Sequence, residues 1–249
     1  METIKAEIKR LSFIAKVLLV LQIIQLAVIV LLLGFNFTSN PNQQKGQTYR
    51  NSASAKGIPG KVIRQLIDSN QFVGSKDAKV SMIVFSGFEC YHCESFFDSI
   101  YPRIYNDFVK TGMVRFTLIP FVKKDNELAL YKAKILICAG FQGKRWEMHS
   151  LLMKKQGEIP QETLNDLLKG LNINIEQFNV DLKSQRVEQI VKFNKDFTSE
   201  NNISGTPFFI INSQMTPGNR PYDAFKKIIE TEIRLFDDLS QRHTGKSCD

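Results

Sequence analysis

The run Val80-Ser81-Met82-Ile83-Val84-Phe85, followed closely by Phe88-Glu89-Cys90-Tyr91-His92-Cys93, decides how this chain is read. This short, mostly apolar run predicts a strand. Beyond Cys90, the residues Phe96, Phe97, Ile100, Ile104 and Phe108 fall at helical spacing, which predicts a helix over 90–110. Pro102 inside it predicts a kink or bend. Two thiols separated by two residues therefore sit at a strand-to-helix junction. Unpaired amides and aligned peptide dipoles at a helix start favour an anion, so the first thiol ionises easily and leaves easily. This is the geometry of a dithiol/disulfide redox switch.

Working outward, Val62, Ile63, Leu66 and Ile67 predict a short helix over 62–69, and Gly74-Ser75-Lys76-Asp77 a turn. A second strand is expected over 114–121, closed by Pro120. Residues 127–200 read as helical almost throughout, punctuated by Gly143, the stretch 157–160 and Gly170. A short apolar strand follows at 208–211, then a turn-rich link over 212–221 and a closing amphipathic helix over 222–236. Strands alternating with helices predict an α/β layer architecture, with a helical subdomain inserted over about residues 123–200.

The formal net charge of +8 suggests nucleic acid, but its distribution does not. Residues 1–64 hold nine Lys/Arg and two Asp/Glu, whereas the remaining 185 hold 24 basic and 23 acidic residues. The basic excess belongs to the N-terminal region, not to the folded part. There, residues 17–35 are apolar apart from Gln22, Gln25 and Gly34, and nineteen helical residues span roughly 28 Å, close to a hydrocarbon core. Lys5, Lys9, Arg10 and Lys16 flank the segment on the N-terminal side. The expected organisation is a cytoplasmic N-terminus (1–16), a transmembrane anchor (17–35), a flexible Asn/Gln/Ser/Gly-rich linker (36–60) and an exported domain (61–249). A cleaved secretory signal is the rival reading of the same segment, and it also exports the rest of the chain.

Export matters for the four cysteines, Cys90, Cys93, Cys138 and Cys248, because disulfides persist outside the cytosol. Cys138, in a helical stretch, is either a buried thiol or half of a second disulfide, with Cys248 as the candidate partner. A zinc module built on Cys90, Cys93 and His92 would need a fourth ligand, and neither His149 nor His243 is spaced to supply a partner pair, so no metal and no cofactor are expected. His149 and Trp146 read as packing residues.

The second half of the site is Gly205-Thr206-Pro207-Phe208-Phe209. Proline cannot donate to a ladder and so belongs at a strand start, and a cis bond before proline costs far less than any other cis peptide. A cis Thr206–Pro207 bond beside the cysteines would leave the Thr206 backbone free to pair with an extended substrate.

Taken with Phe72 to Ala78, Ala133 to Ala139 and Trp146-Glu147-Met148-His149, these stretches resemble the DsbA-type thiol-disulfide oxidoreductases, over roughly residues 58–236. The resemblance implies a thioredoxin-like fold with an inserted helical domain, exported in bacteria. By position it makes Cys90 the exposed nucleophile and Cys93 the buried resolving thiol. Tyr91 and His92 would set the redox poise, and Thr206 and Pro207 would form the cis-proline wall that binds substrate. A cationic histidine beside a thiolate also stabilises the reduced form on its own account, which makes the disulfide a stronger oxidant. One departure from the pattern is that residues 80–85 carry no acid, where many thioredoxin-fold enzymes keep a buried carboxylate.

The expected function is donation of the Cys90–Cys93 disulfide to reduced or unfolded exported proteins in the bacterial periplasm, with reoxidation by a DsbB-like quinone-linked membrane protein. The alternative is an isomerase or reductase of the same fold, kept in the dithiol form.

Overall fold

The computed structural model describes Gln22, Gln25 and residues 58–212 and 214–244. Its centre is strand β1 (Val80–Ser86), buried along its whole length. Strand β2 (Val114–Pro120) pairs with it in parallel, from Val80 opposite Val114 to Ser86 opposite Pro120. On the other side β3 (Phe208–Ile211) runs antiparallel, with Val84 opposite Phe209, and β4 (Gln214–Pro217) pairs antiparallel with β3. The sheet order is β2-β1-β3-β4.

Side chains alternate across β1 and feed two cores. Val80, Met82 and Val84 face a core that includes Phe96, Phe116, Phe209 and Phe225. Ile83 and Phe85 face the opposite core with Leu66, Ile67 and Phe197. A strand with both faces covered has no position left for polar alternation, which is why 80–85 is almost uniformly apolar. The first core centres on Phe96, whose ring lies 4.8 Å from Phe209 and 5.6 Å from Phe225, centroid to centroid.

Helix α1 (Gly60–Asn70) covers the second core. The parallel β1–β2 pair needs a crossover, and helix α2, the continuous run over residues 91–109, supplies it. It alternates α-turns (Tyr91–Ser95, Tyr101–Ile104) with π-turns (Phe96–Ile100, Tyr105–Val109). The disturbance expected at Pro102 thus takes the form of π-turns on either side. Proline has no N–H to give to the preceding turn, and the wider hydrogen-bond register absorbs the mismatch.

Between β2 and β3 lie five helices: α3 (Glu127–Phe141), α4 (Arg145–Lys154), α5 (Gln161–Gly170), α6 (Ile175–Leu182) and α7 (Gln185–Glu200). Three of them start on side-chain caps: Asn126, Asn174 and Ser184 accept from the amides of Ala129, Gln177 and Val187. Helix α8 (Tyr222–Thr244) closes the fold.

Three expectations need correction. The link over 212–221 contains β4, whose Gln214-Met215-Thr216-Pro217 is a half-exposed edge with little apolar signal. The closing helix runs past 236 to Thr244 on a polar face, where Lys79 pairs with Asp237 at 2.7 Å. The linker ends before 60, because Ile58 is buried against the second core. Among the described residues no helix is long and apolar enough to cross a membrane. The span expected at 17–35 lies outside the described residues except for Gln22 and Gln25, which are helical and exposed. Cys248 also lies outside them.

Candidate active site

β1 ends at Ser86, and four residues later Cys90 stands as the N-cap of α2 with extended backbone angles (φ −106°, ψ 104°). At a helix start the first amides have no partner within the helix. Here a sulfur takes the place of the usual oxygen cap: Cys90 Sγ accepts from the Cys93 N–H at 3.3 Å. The same sulfur lies 3.3 Å from the carbonyl oxygen of Thr206, to which its thiol form donates. Cys93 is fully buried one turn on, while Cys90 is half-buried.

These surroundings separate the two thiols. Cys90 is lowered to about 5, chiefly because the Cys93 thiol donates to its thiolate, with the Thr206 side chain and the amides of Cys93 and His92 assisting and burial working against them. Cys93 is pushed well above the usual thiol range, first because its proton is held by Cys90 and then because it is buried. At neutral pH one sulfur is an anion and the other keeps its proton. A sulfur that is stable as an anion is the better leaving group of the pair.

Thr206 and Pro207 are joined by a cis peptide bond. Gly87 makes their approach to the cysteines feasible: a Cβ there would lie 3.1 Å from Thr206 Oγ1 and 3.5 Å from Cys90 Cβ. Tyr91 projects into solvent, 77% exposed, with its ring edge-on to that of His92 at 5.6 Å. What His92 contributes to Cys90 in this geometry is its backbone amide.

Beside Cys90 opens a small cleft of about 170 Å³, lined by Glu89, Phe121, Asn126, Lys132 and Thr206 among others. Lys132 is fully buried; its ammonium donates to the Lys155 carbonyl at 2.8 Å and pairs with Glu89 at 3.5 Å. The sequence reading overlooked both Lys132 and Gly87. A signal for Lys132 existed: it falls on the buried stripe of α3, one turn after Leu128 and one before Leu136, where an apolar residue belongs. No such signal marks Gly87, because its partner Thr206 is distant in sequence.

The remaining candidates are placed elsewhere. Trp146 stacks on Tyr101 at 5.7 Å and 7°, and His149 packs edge-on against Phe97 at 4.5 Å, held neutral by burial that pushes it down to about 3. Cys138 is a free thiol buried inside α3, and burial raises it to about 12.

With the geometry in view, similarity to known proteins is informative. A family model described as Thioredoxin matches residues 68–231. Disulfide bond formation protein D of Bacillus subtilis is 26% identical over 204 residues, covering 79% of this chain and 86% of that protein. The crystal structure of oxidised BdbD from Bacillus subtilis superposes with a TM-score of 0.59 at 26% identity, over 68% of this chain and 95% of that one. The thiol-disulfide exchange protein alpha-DsbA2 of Wolbachia pipientis has the same fold, with a TM-score of 0.57 at 20% identity over 78% of this chain and 99% of that chain. The chain therefore belongs to the thioredoxin family and is a protein-disulfide oxidoreductase of the DsbA type.

Proposed function

We propose that the chain donates the Cys90–Cys93 disulfide to exported substrate proteins. A substrate thiolate attacks Cys90 Sγ and the Cys90–Cys93 bond breaks. A mixed disulfide then joins substrate to Cys90, and Cys93 takes up a proton, as its buried position favours. A second substrate thiolate attacks the substrate sulfur of the mixed disulfide, and Cys90 leaves as a thiolate. Two electrons pass from the substrate dithiol to the enzyme, which ends reduced. The observation that carries this direction is the surroundings of the Cys90 sulfur: the Cys93 amide and thiol and the Thr206 side chain all favour its anion. Stabilising the thiolate stabilises the reduced enzyme and so makes the disulfide more oxidising.

The cleft beside Cys90 and the exposed Tyr91 ring offer an extended substrate a surface next to the reacting sulfur. Turnover needs an oxidant for the dithiol, and a DsbB-like quinone-linked membrane protein has the appropriate chemistry. The apolar segment 17–35 with its basic N-terminal flank supports an anchor in the inner membrane, the N-terminus cytoplasmic and the domain periplasmic. If that segment is a cleaved signal instead, the domain is soluble in the same compartment.

The reduction potential of the Cys90–Cys93 pair, measured against glutathione, tests the direction of transfer. A donor should lie near the value of about −120 mV typical of DsbA, whereas a value near the −270 mV of thioredoxin would turn the reading to a reductase.

A further inference from the structure

Helix α4 begins on Arg145, which is only 2% exposed. A guanidinium carries five N–H donors. Here Nη1 reaches the Leu118 carbonyl at 3.3 Å, and Nε is buried without a protein acceptor. None of the ion pairs among the described residues includes Arg145. Burial lowers it to about 9, so it is still a cation at neutral pH. A buried charge without a counter-ion is costly, and an apolar side chain at this position would avoid that cost. Packing alone does not explain the residue.

Its surroundings point outward to a ligand. Arg145 lines a cleft of about 630 Å³ with Gln71, Phe72, Gly140, Phe141 and Trp146, within the range of small-molecule sites. Gln71, held at φ +62°, donates its amide to the Gly140 carbonyl at 2.7 Å. A Cβ on Gly140 would lie 3.0 Å from Gln71 Oε1 and 3.1 Å from Arg145 Nε, so two polar groups converge over a bare backbone. No side chain caps the first turn of α4, and an uncapped helix start favours an anion. The cleft shares no lining residue with the one beside Cys90.

We propose that Arg145 anchors a binding site for a carboxylate carried on an apolar or aromatic body. The planar fork of the guanidinium matches a carboxylate, and Phe72, Phe141 and Trp146 supply apolar walls. The carboxylate belongs either to a free aromatic acid or to an acidic side chain between aromatic residues of a polypeptide. Asp68, exposed on the same lining, repels an anion and confines it to the Arg145 side.

Benzoate is the first probe and neutral benzamide its control, both titrated into the full-length protein by ligand-detected NMR and thermal denaturation. Benzoate should saturate and raise Tm by about 3 °C at tenfold excess over its Kd, while benzamide does neither. Arg145→Met should abolish the benzoate response yet keep the wild-type alkylation rate of Cys90, which reports an intact fold. Should that variant not fold, Arg145→Lys, which keeps the charge and loses the fork, should weaken benzoate by about tenfold, and Asp68→Asn should tighten it. The peptide Phe-Glu-Phe, compared with Phe-Gln-Phe, distinguishes the sources: tighter binding than benzoate assigns the site to a polypeptide, weaker binding to a free acid. Equal responses to benzoate and benzamide, no saturable response, or benzoate binding unchanged in the Arg145 variants would overturn the proposal.

Discussion

The start of α2 and the middle of α3 each carry a cysteine, and the two sulfurs differ in almost every respect that sets thiol chemistry. Cys90 caps a helix, half-exposed, with the Cys93 amide at 3.3 Å and Thr206 beside it. Cys138 lies inside a helix whose amides are already engaged, fully buried among apolar side chains. The first is lowered to about 5 and the second raised to about 12. Since the residue type is the same, reactivity here is a property of position: a helix start offers unpaired N–H groups to an anion, and a helix interior offers none.

The comparison can be broken most sharply by removing each sulfur in turn. Cys90→Ser should abolish oxidation of a dithiol peptide, by more than about 10³-fold, because no sulfur remains to form the mixed disulfide. Cys138→Ala should leave peptide oxidation within about twofold and cost about 1–2 kcal/mol of stability for the small cavity, read from urea unfolding. If the two variants lost activity alike, the division of roles would be wrong.

A smaller effect comes from the wall opposite the cysteines. Thr206→Val removes a hydroxyl that favours the Cys90 anion while keeping the shape of the side chain. The Cys90 pKa should rise by about one unit, measured as alkylation rate against pH, with the fold unchanged by circular dichroism. An unaltered profile would show that Thr206 is only a spacer.

The charge pair in the cleft gives the smallest change, with an asymmetry that can be checked. Glu89→Ala leaves the buried Lys132 ammonium with the Lys155 carbonyl as its acceptor and should destabilise by about 1–3 kcal/mol. Lys132→Met removes the buried charge and leaves a carboxylate that is 44% exposed, so its cost should stay within about 1 kcal/mol. Urea midpoints of the two variants decide the order.

The parts of the molecule legible in the sequence are those governed by local pattern. Residues 80–85 announce a strand, the stripe from Phe96 to Phe108 announces α2, and Pro207 before Phe208 and Phe209 marks a strand start. The parts that were not legible depend on long-range partners or on weak local signals. β4 has no apolar alternation because one of its edges faces solvent and the other is satisfied by β3. The last turns of α8 are polar, and the Lys79–Asp237 pair helps tie them to the fold. Gly87 owes its role to Thr206, more than a hundred residues later in the chain. Lys132 is a charge on the buried stripe of α3, legible only as a break in the apolar pattern, and Arg145 is a buried charge on α4 that hydrophobic periodicity treats as surface.

The central claim is that the start of α2 holds Cys90 as a thiolate, and titration of the reduced protein tests it most directly. The folded-state value lies below that of a thiol in the unfolded chain, about 8.5. Ionisation of Cys90 therefore stabilises the reduced fold, fully so above the unfolded value, and the contribution is lost as pH falls through about 5. Cys93, shifted the opposite way, favours the fold below the unfolded thiol value and works against it above that value. The Tm advantage of reduced wild type over reduced Cys90→Ser should accordingly widen from pH 5 to pH 8. Thiolate absorbance, followed with Cys90→Ser as the blank, should rise with a midpoint near pH 5. A midpoint near 8.5 would contradict the account.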